Sequence, residues 1–272
     1  MLSEKEIKDY FLLVNSHAKK ELGQNFLIDE KVSLEIANNL ELKETDSLLE
    51  IGPGLGALAC NLIGKTNKYT VVEYDEKFVK FLNMSYRDKN IEIVKNNILK
   101  YKNFSFNKIT GNLPYYISTD ILEFILTKFP NLEIGVFMTQ KEFFERITTK
   151  NKRDKGPINY LIEYLYNINK ILVVPYTSFF PMPTVASIVF KVERKQEKDF
   201  SFAMFLYKIA SILFINRRKN LANNLKSILK TDEINLVLEE TNTSKDLRAE
   251  DLTLENLVNI TNVILKLKNR NL

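Results

Sequence analysis

One cysteine, Cys60, and one histidine, His17, are all that this 272-residue chain has of either type. A single thiol cannot close an internal disulfide, and without a Cys/His set no ordinary zinc site can be assembled, so a disulfide scaffold is excluded and no metal is expected. No stretch approaches the roughly 18 uninterrupted apolar residues of a membrane span. The N-terminus, MLSEKEIKDYFLLVN, mixes charges where a secretion signal needs an apolar run, so a cytoplasmic location is expected. Internal repeats and low-complexity linkers are also missing. Neither sign of charge dominates: 39 Lys and Arg against 34 Asp and Glu leave +5. So mild an excess suits a phosphate-bearing partner, but compositional bias explains it equally well.

What is present is enough for a core, since 45% of the residues are hydrophobic. From about Asp46 to Glu193, short apolar runs alternate with longer amphipathic stretches: SLLEI, YTVVEY, IEIV, NKITGN, IGVFMT, ILVVPY and SIVFKVE. They predict seven strands. Between them, EKFVKFLNMSY and TDILEFILTKF place apolar residues at helical spacing, as crossover helices on a sheet require. The pattern is that of a mostly parallel, doubly wound α/β domain. The last two strands are joined across FFPMP with no room for a crossover helix, so the final strand is expected to run antiparallel. Beyond the charged stretch KVERKQEKDF the periodicity is helical only, and Thr253 is a plausible N-cap for the last helix. The spacing predicts a first domain over residues 1–197, with a basic, partly ordered arm over 1–22, and an all-α domain over 198–272.

Glu50-Ile51-Gly52-Pro53-Gly54-Leu55-Gly56 follows the first strand and precedes a helical run. Glycines at 52, 54 and 56 allow a tight turn and close approach of a ligand to free N–H groups. Ordinary tight turns use glycine too. The next strand ends in Val72-Glu73-Tyr74-Asp75, about 20 residues on, where ribose hydroxyls of a bound nucleoside would lie. A pyrophosphate wants the spacing GxGxxG, which this GxGxG turn lacks, so a methionine-bearing nucleoside fits better than a dinucleotide.

After the fourth strand comes Asn112-Leu113-Pro114-Tyr115. An adenine amino nitrogen is a poor nucleophile because its lone pair is delocalised into the ring. A catalyst must accept hydrogen bonds from its two N–H bonds so that it can become pyramidal. The amide oxygen of Asn112 and the backbone carbonyl of Leu113 or Pro114 can do this together. Tyr115 offers a face on which an extruded base can stack. No general base is required. The alternative is a Pro-Tyr turn that merely closes a strand. A second aromatic group, Phe179 or Phe180 in Ser178-Phe179-Phe180-Pro181-Met182-Pro183, can close the other face of a base or plug the space between strands.

With these motifs in order, the chain resembles the ribosomal RNA adenine dimethylase family. Gly23-Gln24-Asn25-Phe26-Leu27 matches its N-terminal signature, Glu50 to Gly56 its cofactor turn, Glu73 its ribose acid, Asn112 to Tyr115 its catalytic loop and Phe179 to Ser187 its FxPxPxVxS element. Leu213 to Leu221 resembles the branch that acts on small-subunit RNA. The resemblance implies a Rossmann-like class I methyltransferase fold and S-adenosyl-L-methionine as cofactor. It also implies N6,N6-dimethylation of two adjacent adenosines in a 3′-terminal hairpin of small-subunit rRNA, by a monomer acting on the immature small ribosomal subunit. Asn25, Leu27, Gly52, Gly54, Glu73, Asn97 and Asn112 would then contact the methyl donor. Asn112 and Tyr115 would also meet the target base, and the reading of the two loops adds Leu113, Pro114 and Phe179 to the expected catalytic set.

One position departs from the family. Asn97 stands where an aspartate is usual, keeping an amide oxygen acceptor but losing the charge. The helical domain would help grip RNA, with Arg217, Arg218 and Lys219 and the run Lys150, Lys152, Arg153 and Lys155 as basic contacts; such runs also occur as merely solvated faces. Two alternatives stay open: a large-subunit rRNA methyltransferase conferring antibiotic resistance, and an RNA-binding assembly or transcription factor without turnover.

Overall fold

A computed structural model describes residues 1–19, 23–217 and 219–270. They form two compact units, residues 1–144 with 168–194 and residues 145–167 with 195–272. Among the described residues no helix is long and apolar enough to cross a membrane.

The first unit is built on a seven-stranded sheet. Its strands are β2 (Ser47–Ile51), β3 (Lys68–Glu73), β4 (Glu92–Lys95), β5 (Lys108–Asn112), β6 (Ile134–Gln140), β7 (Tyr166–Val174) and β9 (Ser187–Arg194), in the order β4-β3-β2-β5-β6-β9-β7. These are the seven apolar runs expected. Strands β2 to β6 pair in parallel, and β9 pairs antiparallel with β6, from Ile134↔Glu193 to Gln140↔Ser187. Central β6, IGVFMTQ, is buried at every residue but the last, as a strand covered on both faces must be. Edge strand β4, EIVK, ends in charges and leaves both of them exposed. A separate two-stranded ribbon joins β1 (Phe26–Leu27) to β8 (Phe179–Phe180), with Phe26 opposite Phe180 and Leu27 opposite Phe179.

The strand order reverses at β2, which has β3 on one side and β5 on the other. Ligands of open α/β sheets bind in the crevice at the carboxyl ends of strands flanking such a switch. Gly52 and Asn112 lie at those two ends, and the register sets Gly111 directly against Ile51. Only glycine fits there, because a Cβ on Gly111 would lie 2.6 Å from the Ile51 carbonyl oxygen.

Residues 1–19 are more ordered than a basic arm. Helix α1 (Glu4–Leu13) starts on a capping box in which the Ser3 N–H donates to Glu6 Oε2 at 2.8 Å and the Glu6 N–H to Ser3 Oγ at 3.4 Å. Its Ile7 and Phe11 are buried with Phe26, Leu55 and Phe78.

The second unit is all helical. Helix α7 (Pro157–Leu165) belongs with α8 (Phe200–Phe214), α9 (Leu221–Leu225), α10 (Thr231–Glu240) and α11 (Leu254–Arg270). A boundary at 197/198 therefore misses residues 145–167. Tyr160 explains the association: its ring is fully buried among Leu206, Leu213 and Leu257, and its hydroxyl donates to the Leu252 carbonyl at 2.8 Å. Thr253 does cap α11, accepting from the Asn256 N–H at 3.1 Å.

The packing at the switch point is directly testable. Gly111→Ala should lower the unfolding free energy by about 1–3 kcal/mol, since β2 or β5 must shift to admit a methyl group. A urea midpoint equal to that of the wild type would show that the close approach is not a constraint.

Candidate active site

The glycine turn has the backbone its sequence implies. Gly52, Gly54 and Gly56 have φ of +62°, +55° and +78°, a region that L side chains rarely adopt. The turn is closed by the Gly52 N–H donating to the Val72 carbonyl at 2.9 Å and the Gly56 N–H to the Pro53 carbonyl at 2.8 Å. Across from it, at the end of β3, Glu73 is only 6% exposed. Its carboxylate accepts from the Gly54 N–H at 3.0 Å and the Asp75 N–H at 2.8 Å. Burial raises its pKa, and those backbone hydrogen bonds oppose the rise. Glu73 thus binds the glycine turn to the next strand and presents its remaining lone pairs to a cavity.

That cavity, of about 140 Å³, is lined by Asn25, Leu27, Gly52, Gly54, Glu73 and Asn112, six of the seven residues expected at the donor. Asn97 is the exception. It follows β4, and its Oδ1 accepts from the Leu99 N–H at 2.9 Å, capping a turn of 3-10 helix over Ile98–Lys100. One lone pair of the Asn97 oxygen is thus engaged with the backbone, and the second stays available to a donor.

At the end of β5, the Asn112 Nδ2 donates to the Asn25 carbonyl at 3.2 Å. Its Oδ1 is buried and has no hydrogen-bond partner among the described residues. An unsatisfied buried acceptor costs about 1–3 kcal/mol, which makes this oxygen a candidate acceptor for a donor from outside the chain. The bond to Asn25 also fixes which end of the amide faces the cavity, because only the NH₂ can donate to a carbonyl.

Leu113 is fully buried and its N–H donates to the Met138 carbonyl at 3.0 Å. The Pro114 carbonyl already accepts from the Ser118 hydroxyl at 2.8 Å and the Ile117 N–H at 3.2 Å. Both its lone pairs are occupied, which leaves the Leu113 carbonyl as the better second acceptor. Tyr115 is half-buried with its hydroxyl 2.8 Å from the Ser187 hydroxyl. Burial raises its pKa, opposed by that bond.

A second cavity, of about 330 Å³, is lined by Tyr115, Tyr116, Gln140, Pro181, Met182, Pro183 and Thr184 and by Gly23 and Asn25. Gly23, Asn25 and Tyr116 line both cavities, so the two adjoin there. Phe179, expected at the target base, is instead 1% exposed in the core, where the pairing of β8 with β1 draws it. Phe180 packs toward α1, with the Lys8 ammonium 5.1 Å from its ring centre. The wall those two were expected to give comes from Pro181, Met182 and Pro183, and Met182 is 64% exposed.

In the second unit, Lys152 and Arg153 are exposed on a short turn, and the Arg217 guanidinium donates to the Arg153 carbonyl at 3.3 Å. Two basic runs distant in sequence therefore meet. Lys155 is paired with Glu163 at 2.7 Å and Lys219 is exposed. Arg218 lies outside the described residues.

Sequence reasoning gave no separate role to Glu50, which lines the first cavity while only 1% exposed. Burial pushes its carboxyl up to about 7, opposed by a hydrogen bond from the Tyr69 hydroxyl and reinforced by the charge of Glu73. Between its ordinary 4.5 and about 7, the folded chain holds a proton that the unfolded chain has released. Stability from this group therefore falls as pH rises through that window and stays reduced above it. Glu50→Gln, which cannot ionise, should gain on the wild type between pH 4.5 and pH 8 by up to about 3 kcal/mol in denaturation curves, at 1.36 kcal/mol per unit. A stability difference independent of pH would show that Glu50 does not titrate there.

Comparison with known proteins places this geometry. Residues 15–266 match the family model described as ribosomal RNA adenine dimethylase. The ribosomal RNA small subunit methyltransferase A of Malacoplasma penetrans is 38% identical over 244 residues, covering 86% of this chain and 88% of its own. The protein of that name from Francisella tularensis subsp. tularensis is 35% identical over 257 residues, covering 91% and 97%. Among solved structures, a dimethyladenosine transferase from Plasmodium falciparum has a TM-score of 0.74 at 21% identity, covering 91% of this chain and 98% of its own. The 23S rRNA methyltransferase ErmE has a TM-score of 0.63 at 22% identity, covering 88% and 99%. Both share the fold. With the family model spanning nearly the whole chain, and the glycine turn, buried acid and Asn112 loop assembled at one switch point, the chain belongs to the ribosomal RNA adenine dimethylase family.

Proposed function

We propose that the chain dimethylates the N6 atoms of two adjacent adenosines in the 3′-terminal hairpin of small-subunit rRNA, using S-adenosylmethionine. The observation that carries this reading is the buried, partnerless Asn112 Oδ1, at the β5 end of the switch point and beside the glycine turn.

The first cavity fits the cofactor in kind, because a carboxylate at Glu73, left-handed glycines and an apolar wall meet the needs of a nucleoside with a short polar tail. Glu73 would hold the ribose hydroxyls, and the glycine turn would let the tail approach the backbone. S-adenosylmethionine supplies an electrophilic methyl group. The chain's own part is to position the nucleophile. Asn112 Oδ1 and the Leu113 carbonyl accept from the two N–H bonds of the target amino group, which localises its lone pair for in-line attack. Tyr115, its ring fixed through Ser187, provides the stacking face, and Met182 with Pro181 and Pro183 borders the space opposite. The proton released with each transfer can leave to water, so a general base is not needed.

The small-subunit substrate rests on the relatives at 35% and 38% identity, which are small-subunit methyltransferases by name. ErmE, at 22%, bears on the fold alone. Arg153 and Arg217, which meet in the second unit, are the best-placed phosphate contacts.

Incubation of the enzyme with tritiated donor and immature small subunits should label dimethyladenosine near the 3′ end of the rRNA. Mapping of the label to large-subunit RNA would overturn the substrate assignment. Asn112→Ala should lower kcat by about 10²–10³, the usual cost of one lost transition-state hydrogen-bonding group, and near-normal turnover would refute its role. Arg153→Ala and Arg217→Ala should each weaken RNA binding and reduce the slope of log affinity against log salt by about 1. An unchanged slope would remove them from the interface.

A further inference from the structure

Helix α1 has no assigned role, and it lies outside the family match, which begins at residue 15. Two of the side chains lining the first cavity nevertheless come from this end of the chain: Leu2, just before the helix, and Ile7 within it. Ile7 is 1% exposed although it belongs to a terminal helix. It is buried with Phe26 of the N-terminal signature, Leu55 of the glycine turn and Phe78 of α4 (Glu76–Ser85), which follows the ribose acid. The helix thus touches three of the segments that line the cavity.

Its attachment is specific. The Tyr10 hydroxyl donates to the Lys77 carbonyl at 3.0 Å, and the Tyr10 ring meets Phe81 edge-on at 5.1 Å. Phe11 packs against Phe26 and Phe78, with ring centres 5.7 and 6.5 Å apart. Beyond the helix, the Lys19 ammonium pairs with Asp75 at 3.1 Å. A helix held only for stability could pack anywhere on the sheet. This one is fastened through Tyr10 to Lys77, four residues beyond the acid, and turns an aliphatic residue toward the same space as Glu73.

We infer that Leu2 and Ile7 are donor-binding residues, forming an apolar wall against the nucleoside part of the cofactor. The inference rests on the reading of the first cavity as the donor site. These two side chains remove apolar surface and water from around the base and ribose, which adds affinity for the donor without touching the target adenosine.

Calorimetry with S-adenosylhomocysteine, on the full chain, tests this. Leu2→Ala leaves the helix and its cap intact, and Ile7→Ala removes more of the wall. Each should raise Kd, Ile7→Ala by about tenfold. In turnover, the KM for the donor should rise in proportion, with kcat at saturating donor and the KM for RNA within about twofold. A helix with a merely structural role would move the thermal midpoint of the ligand-free protein and leave Kd unchanged for every variant that remains folded at the assay temperature. Ile7→Val should restore most of the affinity. Glu73→Ala is the companion measurement. If it abolishes binding while Leu2→Ala and Ile7→Ala do not weaken it, the wall is refuted and the site stands. If none of the three weakens binding, the cavity is not the donor site and both readings fall.

Discussion

The close approach of two strands governs where everything functional can lie. Gly111 on β5 faces Ile51 on β2 so tightly that a methyl group would strike the Ile51 carbonyl. One residue further along, the chain leaves β2 at Gly52 into the glycine turn, and β5 ends at Asn112 and passes into the Asn112 loop. On the proposed reading, the two halves of the reaction, holding a methyl donor and holding an amino nitrogen, are thereby presented side by side by two paired strand ends. A reacting pair must be held at roughly 3–3.5 Å, and fixed strand ends do this better than mobile loops can.

Polar groups buried at this switch point follow one logic with one exception. Glu73 is satisfied by two backbone N–H groups, and Glu50 beneath the turn has the Tyr69 hydroxyl. Each carboxyl is held in low dielectric, where desolvation raises its pKa and hydrogen bonds partly offset the rise. Asn112 differs in that half of its amide is bonded and half is left over. The bonded half orients the free half. Because the orienting carbonyl belongs to Asn25, the Asn112 amide depends on a segment far from it in sequence.

Much of this was legible beforehand. The seven strands, the left-handed glycine turn and the Asn112 loop each carry their signal within a few neighbouring residues, through periodicity, backbone permissiveness or hydrogen-bonding type. What was not legible depends on contacts between distant residues. Phe179 looks like a free aromatic in a proline loop, but pairing with Leu27 takes it into the core. Residues 145–167 follow a strand of the first unit yet bury Tyr160 among the helices of the second, and no local pattern says which core will accept a helix.

The N-terminal segment shows why the family's motifs are spread over so much of the chain. Asn25 orients Asn112, Phe26 opposes Phe180, Leu27 opposes Phe179, and Ser178 both donates to Asp29 at 2.9 Å and accepts the Ile28 N–H at 2.9 Å through its carbonyl. Residues 25–29 thus clasp the β5 loop on one side and the loop before β9 on the other. The two loops are far apart in sequence, and the ribbon of β1 and β8 together with the Tyr115–Ser187 hydroxyl contact brings both to the same cavity edge. The signature at the start of the chain is consequently a structural bracket as much as a binding element. A change there is expected to act on the geometry of the Asn112 amide even where it touches neither cofactor nor base.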